Sequence, residues 1–571
     1  MTFSSRLRTA AIAFPSALAL SACATTMRGD TAPDAALTIP QIAAGQLSES
    51  DMKEMTRVLA SDAFEGRAPG TPGEEKTVAY IIERFKSAGL EPGNKGSWVQ
   101  NVPLVEITGK NFAPLTVKGR NGAPMDFAFA KDWVGTTYRE DAVTRLDNSE
   151  LVFVGYGVVA PEKGWNDYAG IDMRGKTAVI LVNDPDFGAS QEGGLFNGKA
   201  MTYYGRWTYK YEEAGRQGAA GAIIIHDTAP AAYGWNVVES SWTGPQAYPQ
   251  AGANPPPHTL MNGWVQKPVA EKILAAAGQN LGDLTAKARQ QGFRAVPLGL
   301  TASTNFQSDI RKFASKNVIG ILPGRSAPDE YVLHTAHWDH LGRCTPAPDG
   351  DDICNGAIDN ATGTAALAAL GKAHAKAGPA RRSLVFLAVT AEESGLLGAH
   401  YYAANPVFPL AQTVGGINMD AFLVAGPSRD VTVVGGGKSE LDAFLADSLR
   451  SDGRTITPDP SSEAGYYYRS DHFAFAKRGV PMLYVDGGED LVTGGRAAGE
   501  KAAAEYRAKA YHGPQDEYDP NWNWAGVMQD LQLFYRIGRS LAQSTSWPNW
   551  MPGDEFRAIR DKDCAQAGTP C

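Results

Sequence analysis

The chain has 571 residues, enough for roughly three or four average domains and a sizeable core. Its hydrophobic content of 43% and charged content of 20% are those of a globular protein. A formal net charge of -9 opposes the phosphate backbone and sets nucleic acid aside as a partner. In chain order, Arg6 and Arg8 precede the apolar run "AIAFPSALAL", which is too short to span a bilayer, so residues 1–22 are expected to be an export signal. Leu20-Ser21-Ala22-Cys23 fits a bacterial lipobox and predicts a lipidated Cys23 that anchors the exported chain on the periplasmic side of a membrane, expected to be the outer one. Ala22-Cys23-Ala24 also fits an A-x-A cleavage site, and on that reading the chain is a soluble periplasmic or secreted protein. No later segment offers about 20 uninterrupted apolar residues.

Residues 23–45, rich in Ala, Thr, Pro and Gly, are expected to be a flexible tether. Folding is expected from residue 46, where "TVAYIIERFKSAGL" places Val78, Ile81, Ile82 and Phe85 at helical spacing and stops at Gly89. From about 141 to 300, segments such as "ELVFVGYGVVAP", "KTAVILVNDP" and "GAAGAIIIHD" predict short strands broken by Gly, Pro and Asp, a β-rich unit inserted after the first part, 46–140. Residues 301–571 alternate regularly: strand "EYVLHTA", helix "GTAALAALGKAHAKA", strand "RSLVFLAVTA", helix "SGLLGAHYYA", strand "TVGGINM", later "PMLYVD". The predicted class is α/β, a mixed, mostly parallel sheet flanked by helices and carrying the β-rich insertion.

Setting Cys23 aside leaves an even four cysteines, Cys344, Cys354, Cys564 and Cys571, which read as two disulfides in an oxidising compartment. Proximity favours 344 with 354 and 564 with 571, and sequence alone leaves the crossed pairings open. A zinc ribbon is the rival, but C-x-x-C pairs are lacking.

Polar residues at the carboxyl ends of strands matter most in such a sheet, because ligands gather in the crevice beyond them. His337 and Asp339 follow one strand, Glu392 and Glu393 a second, Asp420 a third. Asp359 lies in the Gly-bounded "NGAIDNATG" before a helix, and His512 in "AYHGPQDEY" before another. Two histidines and three carboxylates suit two divalent ions, zinc above all, with one carboxylate shared. Taken singly, Asp359 or Asp420 would more often be a helix cap, and either histidine a hydrogen-bonded surface residue. The pair Glu392-Glu393 after an apolar strand is harder to dismiss, because adjacent acids approaching a buried end are costly without cations.

In this order, "TAHWDHLG", "NGAIDNATG", "TAEES", "INMD" and "YHGPQDEY" resemble the M28 family of zinc peptidases. "LASDAFEGRAPGTPGEEKTVAYIIERFKSAGLEP" is similar to that family's N-terminal segment, and "FVGYGVVAPEKGWNDYAGIDMRGKTAVILVNDPDF" to its inserted protease-associated domain. The resemblance implies that His337 and Asp420 hold one zinc, Glu393 and His512 the second, and Asp359 bridges both, two Zn2+ in all. It implies Glu392 as general base and Asp339 as the acceptor of a hydrogen bond from His337 that fixes which ring nitrogen faces the metal. It also implies a cis peptide at Asp359-Asn360, and places Ser470, Asp471 and His472 of "RSDHF" beside the substrate. A serine triad is not expected from those three, since consecutive residues rarely converge as a triad must and no G-x-S-x-G elbow exists.

His334 has the wrong strand parity for the site, and His226, His258, His374 and His400 lack matching partners. His340 is too close to Asp339 in sequence for its role to be read. The expected activity is hydrolysis of peptide substrates by a di-zinc exopeptidase, an aminopeptidase first, a carboxypeptidase second. A glutaminyl cyclase of similar fold would use one zinc, and a binding protein that had lost catalysis should lack ligands or the base.

Overall fold

The computed structural model describes residues 37–119, 122–188, 194–252 and 256–571. Cys23 and the expected export signal lie outside them. No helix of the described residues is long and apolar enough to cross a membrane.

A long strand organises the architecture. Strand β1 (Val99–Lys110) runs antiparallel to β2 (Val296–Leu322), in register from Val99 opposite Val318 to Lys110 opposite Gln307. Along β2 buried Leu298, Leu300, Ala302, Thr304, Phe306 and Ser308 occupy alternate positions, the period-2 pattern of a sheet face. Its last residues, 318–322, pair antiparallel with β4 (Arg382–Val389). From there the sheet is built of parallel neighbours, β4 beside β3 (Ala327–His337), β3 beside β5 (Thr413–Asn418), and β5 beside β8 (Met482–Gly487). Two short strands, β6 (Asp430–Val433), antiparallel to β8, and β7 (Thr455–Pro458), parallel to β6, complete it.

All residues of β4 and β5 are buried, as strands covered on both faces must be. Leu333, Val385, Leu387, Tyr402, Phe475 and Met482 form the core on one face. On the other lie the helices Thr362–Lys376 and Ala525–Gln543, where His334, at the opposite parity, stacks on Phe386 4.9 Å away. The helix expected around Val78–Phe85 is α1 (Pro72–Ser87), with Pro72 preset for the first turn and Gly89 just beyond its end at φ 86°. The mixed α/β sheet is thus present as expected.

Two details of the domain reading change. The insertion was expected at 141, yet Leu115–Gly119 pairs with β2, Trp133–Thr136 pairs with Met261–Gln266, and Leu115, Val117, Phe127 and Trp133 share one apolar cluster with Phe153, Ile223 and Phe306. Those strands are short and separated by turn residues, so their pattern in sequence is that of a loop. Strand β2 also crosses residue 300 unbroken. The tether was expected to reach residue 45, but its last residues are tied down. Thr38 exchanges hydrogen bonds with Ser544 and Ser546, Ser540 donates to the Pro40 carbonyl, and Gln532 brackets the backbone of Gly45.

Both disulfides follow sequence proximity, Cys344 to Cys354 with Cα atoms 6.0 Å apart and Cys564 to Cys571 at 5.8 Å. The first closes a small hairpin in which Gly342 pairs with Cys354. Constraining so short a loop in the unfolded chain is worth about 2–3 kcal/mol. Cys344→Ser is therefore expected to lower unfolding stability by about that amount in denaturant titration. An unchanged midpoint would mean that the bridge stabilises nothing.

Candidate metal centre

The carboxyl ends of three adjacent parallel strands supply most of the site. His337 is the last residue of β3, Glu392 and Glu393 follow β4, and Asp420 follows β5 by two residues. Asp359 stands at the entrance of α2 (Thr362–Lys376), where the Asp359-Asn360 peptide is cis. His512 comes after the further helix α3 (Gly495–Lys509), at φ 58°, its ring stacked on Tyr511 at 3.9 Å.

These side chains divide into two groups that share one residue. His337 Nε2 lies 3.0 Å from Asp420 Oδ1 and 3.3 Å from Asp359 Oδ1. His512 Nε2 lies 3.1 Å from Glu393 Oε2 and 3.4 Å from Asp359 Oδ2. Each oxygen of Asp359 therefore faces a different imidazole and carboxylate. The groups adjoin, since one donor atom each from His337, Asp359 and Glu393 lies within 4.8 Å of the others.

Electrostatics show what this cluster lacks. Among the described residues no Lys or Arg forms an ion pair with Asp339, Asp359, Glu392, Glu393, Asp420 or Asp471; the partners found are imidazoles. Burial pushes Asp339 up to about 7, and pushes Glu392 and Asp471 well above the usual carboxylate range, with neighbouring acids adding to both. Burial would raise Glu393 too, but His340 and His512 beside it hold it at about 2. Burial opposes charge on His512, yet hydrogen bonds to Asp359 and Glu393 lift it to about 10; His337 is raised well above its ordinary value by Asp420, Glu392 and Asp359. Buried acids whose ion-pair partners among the described residues are all imidazoles, with the Arg67 guanidinium acting at longer range, form a donor set that fits divalent cations, which would supply further positive charge.

Those protons compete with a metal, and the sign follows directly. His512 keeps its proton up to about pH 10 while the acids face it unscreened, so raising the pH removes the competitor. Zinc affinity is expected to rise from about pH 6 to about pH 9, by up to about tenfold per unit for each proton displaced. Competition against a chelator measures it; a flat profile would remove the imidazoles from the ligand set.

The support is built largely from backbone. Asp516 accepts the N–H groups of Ile358 and Asp359 at 2.9 and 3.0 Å, fixing the main chain at Asp359. Asn360 receives Ala421 N–H on its amide oxygen and donates to the Met419 carbonyl, tying that turn to the end of β5. Arg67 is fully buried and donates to the carbonyls of Leu59, Trp338, Asn355 and Gly356, joining the end of β3 to the Asp359 loop. Gly356 is required by geometry: at φ 55° an added Cβ would sit 2.2 Å from the Asp359 carbonyl oxygen and 2.5 Å from the His340 ring.

Asp339 acts differently from expectation. His337 Nδ1 is 3.2 Å from the backbone oxygen of Asp339, and the carboxylate, 3.9 Å away, instead accepts Glu392 N–H at 3.1 Å. The carbonyl fixes the ring, leaving Nε2 toward the cluster, while the carboxylate holds the segment bearing Glu392. Ser470, Asp471 and His472, expected beside substrate, are closed to solvent at 2%, 0% and 0% exposure. Ser470 accepts from Asn418 and donates to Asp420 Oδ2 at 2.7 Å, orienting that carboxylate. His472 packs between Tyr467 and Tyr484, where burial pushes it down to about 3.

His340, which the sequence left undecided, is a member of the site: its Nδ1 lies 2.6 Å from Glu393 Oε1. Only folding decides which of two histidines three residues apart meets which acid. Asp516 was signalled within "YHGPQDEY" but had no assigned role, and Arg67 carried no signal beyond a motif-bearing segment.

Comparison with known proteins bears on this geometry. Residues 317–535 match the profile described as Peptidase family M28. A probable glutamate carboxypeptidase of Zea mays is 22% identical over 417 residues, covering 67% of this chain and 51% of that protein. A probable zinc metalloprotease of Leptosphaeria maculans is 34% identical over 104 residues, 18% of this chain and 23% of that one. The chain thus spans about half, or less, of the length of these curated relatives. Among solved structures, the aminopeptidase from Aneurinibacillus sp. strain AM-1 is similar at 19% identity and a TM-score of 0.43, covering 87% of this chain and 94% of that one. His337, Asp359, Glu392, Glu393, Asp420 and His512 all lie inside residues 317–535, so the segment that holds the site is the segment that matches peptidase family M28.

Proposed function

We propose that the chain is a zinc-dependent exopeptidase working with two cations, an aminopeptidase in the first reading. The observation that carries this is the division of the Asp359 oxygens between two donor groups, His337 with Asp420 and His512 with Glu393. When bound there, the cations would lower the pKa of water and polarise the scissile carbonyl. The protein's own part is to hold them apart and to manage the proton. Glu392 is partly buried beside His337 and Asp420, and accepts the proton of the attacking water. The burial that raises its proton affinity keeps that proton available for the departing amine. Asp339, through Glu392 N–H, keeps this segment in place.

A carboxypeptidase of the same fold is the second reading, for which a cationic side chain such as Arg469, next in sequence to Ser470, would hold the free α-carboxylate. The reading of a protein that retains the fold without turnover is disfavoured by the complete ligand set and base. Free, N-acetylated and C-amidated forms of one peptide separate the two exopeptidases. Cleavage that needs the free amino group supports the aminopeptidase, and cleavage that needs the free carboxylate supports the carboxypeptidase. Internal cleavage of the doubly blocked peptide contradicts both. Anchoring through Cys23 on the periplasmic side of a membrane belongs to the same proposal; release of the exported chain without detergent would contradict it.

A further inference from the structure

Each of the two donor groups contains one unshared carboxylate, Asp420 in the first and Glu393 in the second, and the two are held differently. Asp420 turns Oδ1 to His337 and takes a hydrogen bond from the Ser470 hydroxyl on Oδ2 at 2.7 Å. Glu393 turns Oε2 to His512 at 3.1 Å, and its other oxygen, Oε1, lies 2.6 Å from His340 Nδ1. An imidazole stands where the first group has a hydroxyl.

The lengths separate ligand from support. Two donors bonded to one tetrahedral zinc at about 2.0–2.2 Å lie roughly 3.3–3.6 Å apart. The contacts within the groups, 3.0 and 3.3 Å at His337 and 3.1 and 3.4 Å at His512, approach that spacing. At 2.6 Å, His340 and Glu393 are too close to share a cation, and the contact is a short hydrogen bond to a carboxylate. An ionised carboxylate only accepts, so Nδ1 donates. The far nitrogen agrees with this. Nε2 is buried with no hydrogen-bond partner among the described residues, so a hydrogen placed there would be stranded, and the neutral ring with its hydrogen on Nδ1 leaves none unused.

The ring has no room to swing away. His340 is 1% exposed and lies against Gly356, where an added Cβ would sit 2.5 Å from the imidazole Cγ. Its neighbour holds the same segment, since the Asp339 carboxylate accepts Glu392 N–H at 3.1 Å. Consecutive residues after β3 thus hold consecutive residues after β4.

Resting on the two-cation reading above, we propose that His340 is a positioning residue for the second cation: by donating to Oε1 it fixes Glu393 as a one-oxygen ligand and reserves Oε2 for the ion shared with His512. The first group does not depend on it, because Ser470 holds Asp420.

Chelator-competition titration of zinc into metal-stripped full-length protein tests this without recourse to turnover. His340→Asn and His340→Leu separate the hydrogen bond from the packing, because the first brings an N–H close to the place of Nδ1 with less bulk and the second fills the space with no donor. His340→Leu should weaken uptake of one equivalent by about 10- to 100-fold, the usual cost of losing an outer partner, and leave the other unchanged, while His340→Asn should keep most of the wild-type affinity. Should His340→Leu not fold, His340→Ala takes its place as the variant without a donor. Equal weakening of both equivalents, unchanged uptake without the donor, or an Asn variant weaker than the donor-free one each overturn the proposal. If the wild type takes up a single equivalent, the two-cation reading fails separately, and the same variants still decide: weakening of that equivalent without the donor but not in His340→Asn supports the positioning role, and any other pattern rejects it.

Discussion

Glu392→Gln is expected to retain the wild-type metal content while kcat falls by about 10²- to 10⁴-fold, the usual contribution of a positioned acid–base group. None of the donor distances in the two ligand groups involves Glu392, so an amide there leaves both groups intact. The amide keeps nearly the shape of the carboxyl group but cannot take a proton from water. KM should change little, because the lost interaction matters when the proton moves. Near-normal turnover of this variant would show that another group is the base.

Asp359→Ala is expected to fail earlier, at metal binding. Its two oxygens serve different groups, so truncation removes a donor from both at once and leaves His337 with Asp420 and His512 with Glu393 as two-residue sites. Cation loss then leaves buried acids facing each other, and activity should drop below detection. Because Asp516 holds the Ile358 and Asp359 backbone whatever the side chain, the loop should keep its path and the fold should survive. Measured zinc content distinguishes this outcome from that of Glu392→Gln. An Asp359→Ala protein that kept both metals would show that this residue bridges nothing.

The sheet was legible because its strands are short apolar runs ended by polar residues, and the carboxyl-end rule then pointed to His337, Glu392, Glu393 and Asp420. Asp359 and His512 were legible only in combination with the others, since an acid before a helix and a histidine in a loop each have commoner roles when taken singly. What stayed hidden depends on contacts made far apart in the chain. His340 meets Glu393, 53 residues away, and Arg67 reaches carbonyls 271 to 289 residues away; no local period encodes either. The same limit explains Asp339, whose proximity to His337 was readable while the choice between its carbonyl and its carboxylate was not. Ser470, Asp471 and His472 lie beside the site in sequence and beneath it in space, and burial alone separates those cases.

On the proposed mechanism one carboxylate, Asp359, is shared between two cations. Titration of zinc into the metal-stripped full-length protein, followed by calorimetry, tests it most directly. Two equivalents per chain are predicted for the wild type, with high-affinity uptake at both sites lost together in Asp359→Ala. Saturation at a single equivalent, or loss of only one site in the variant, would contradict it.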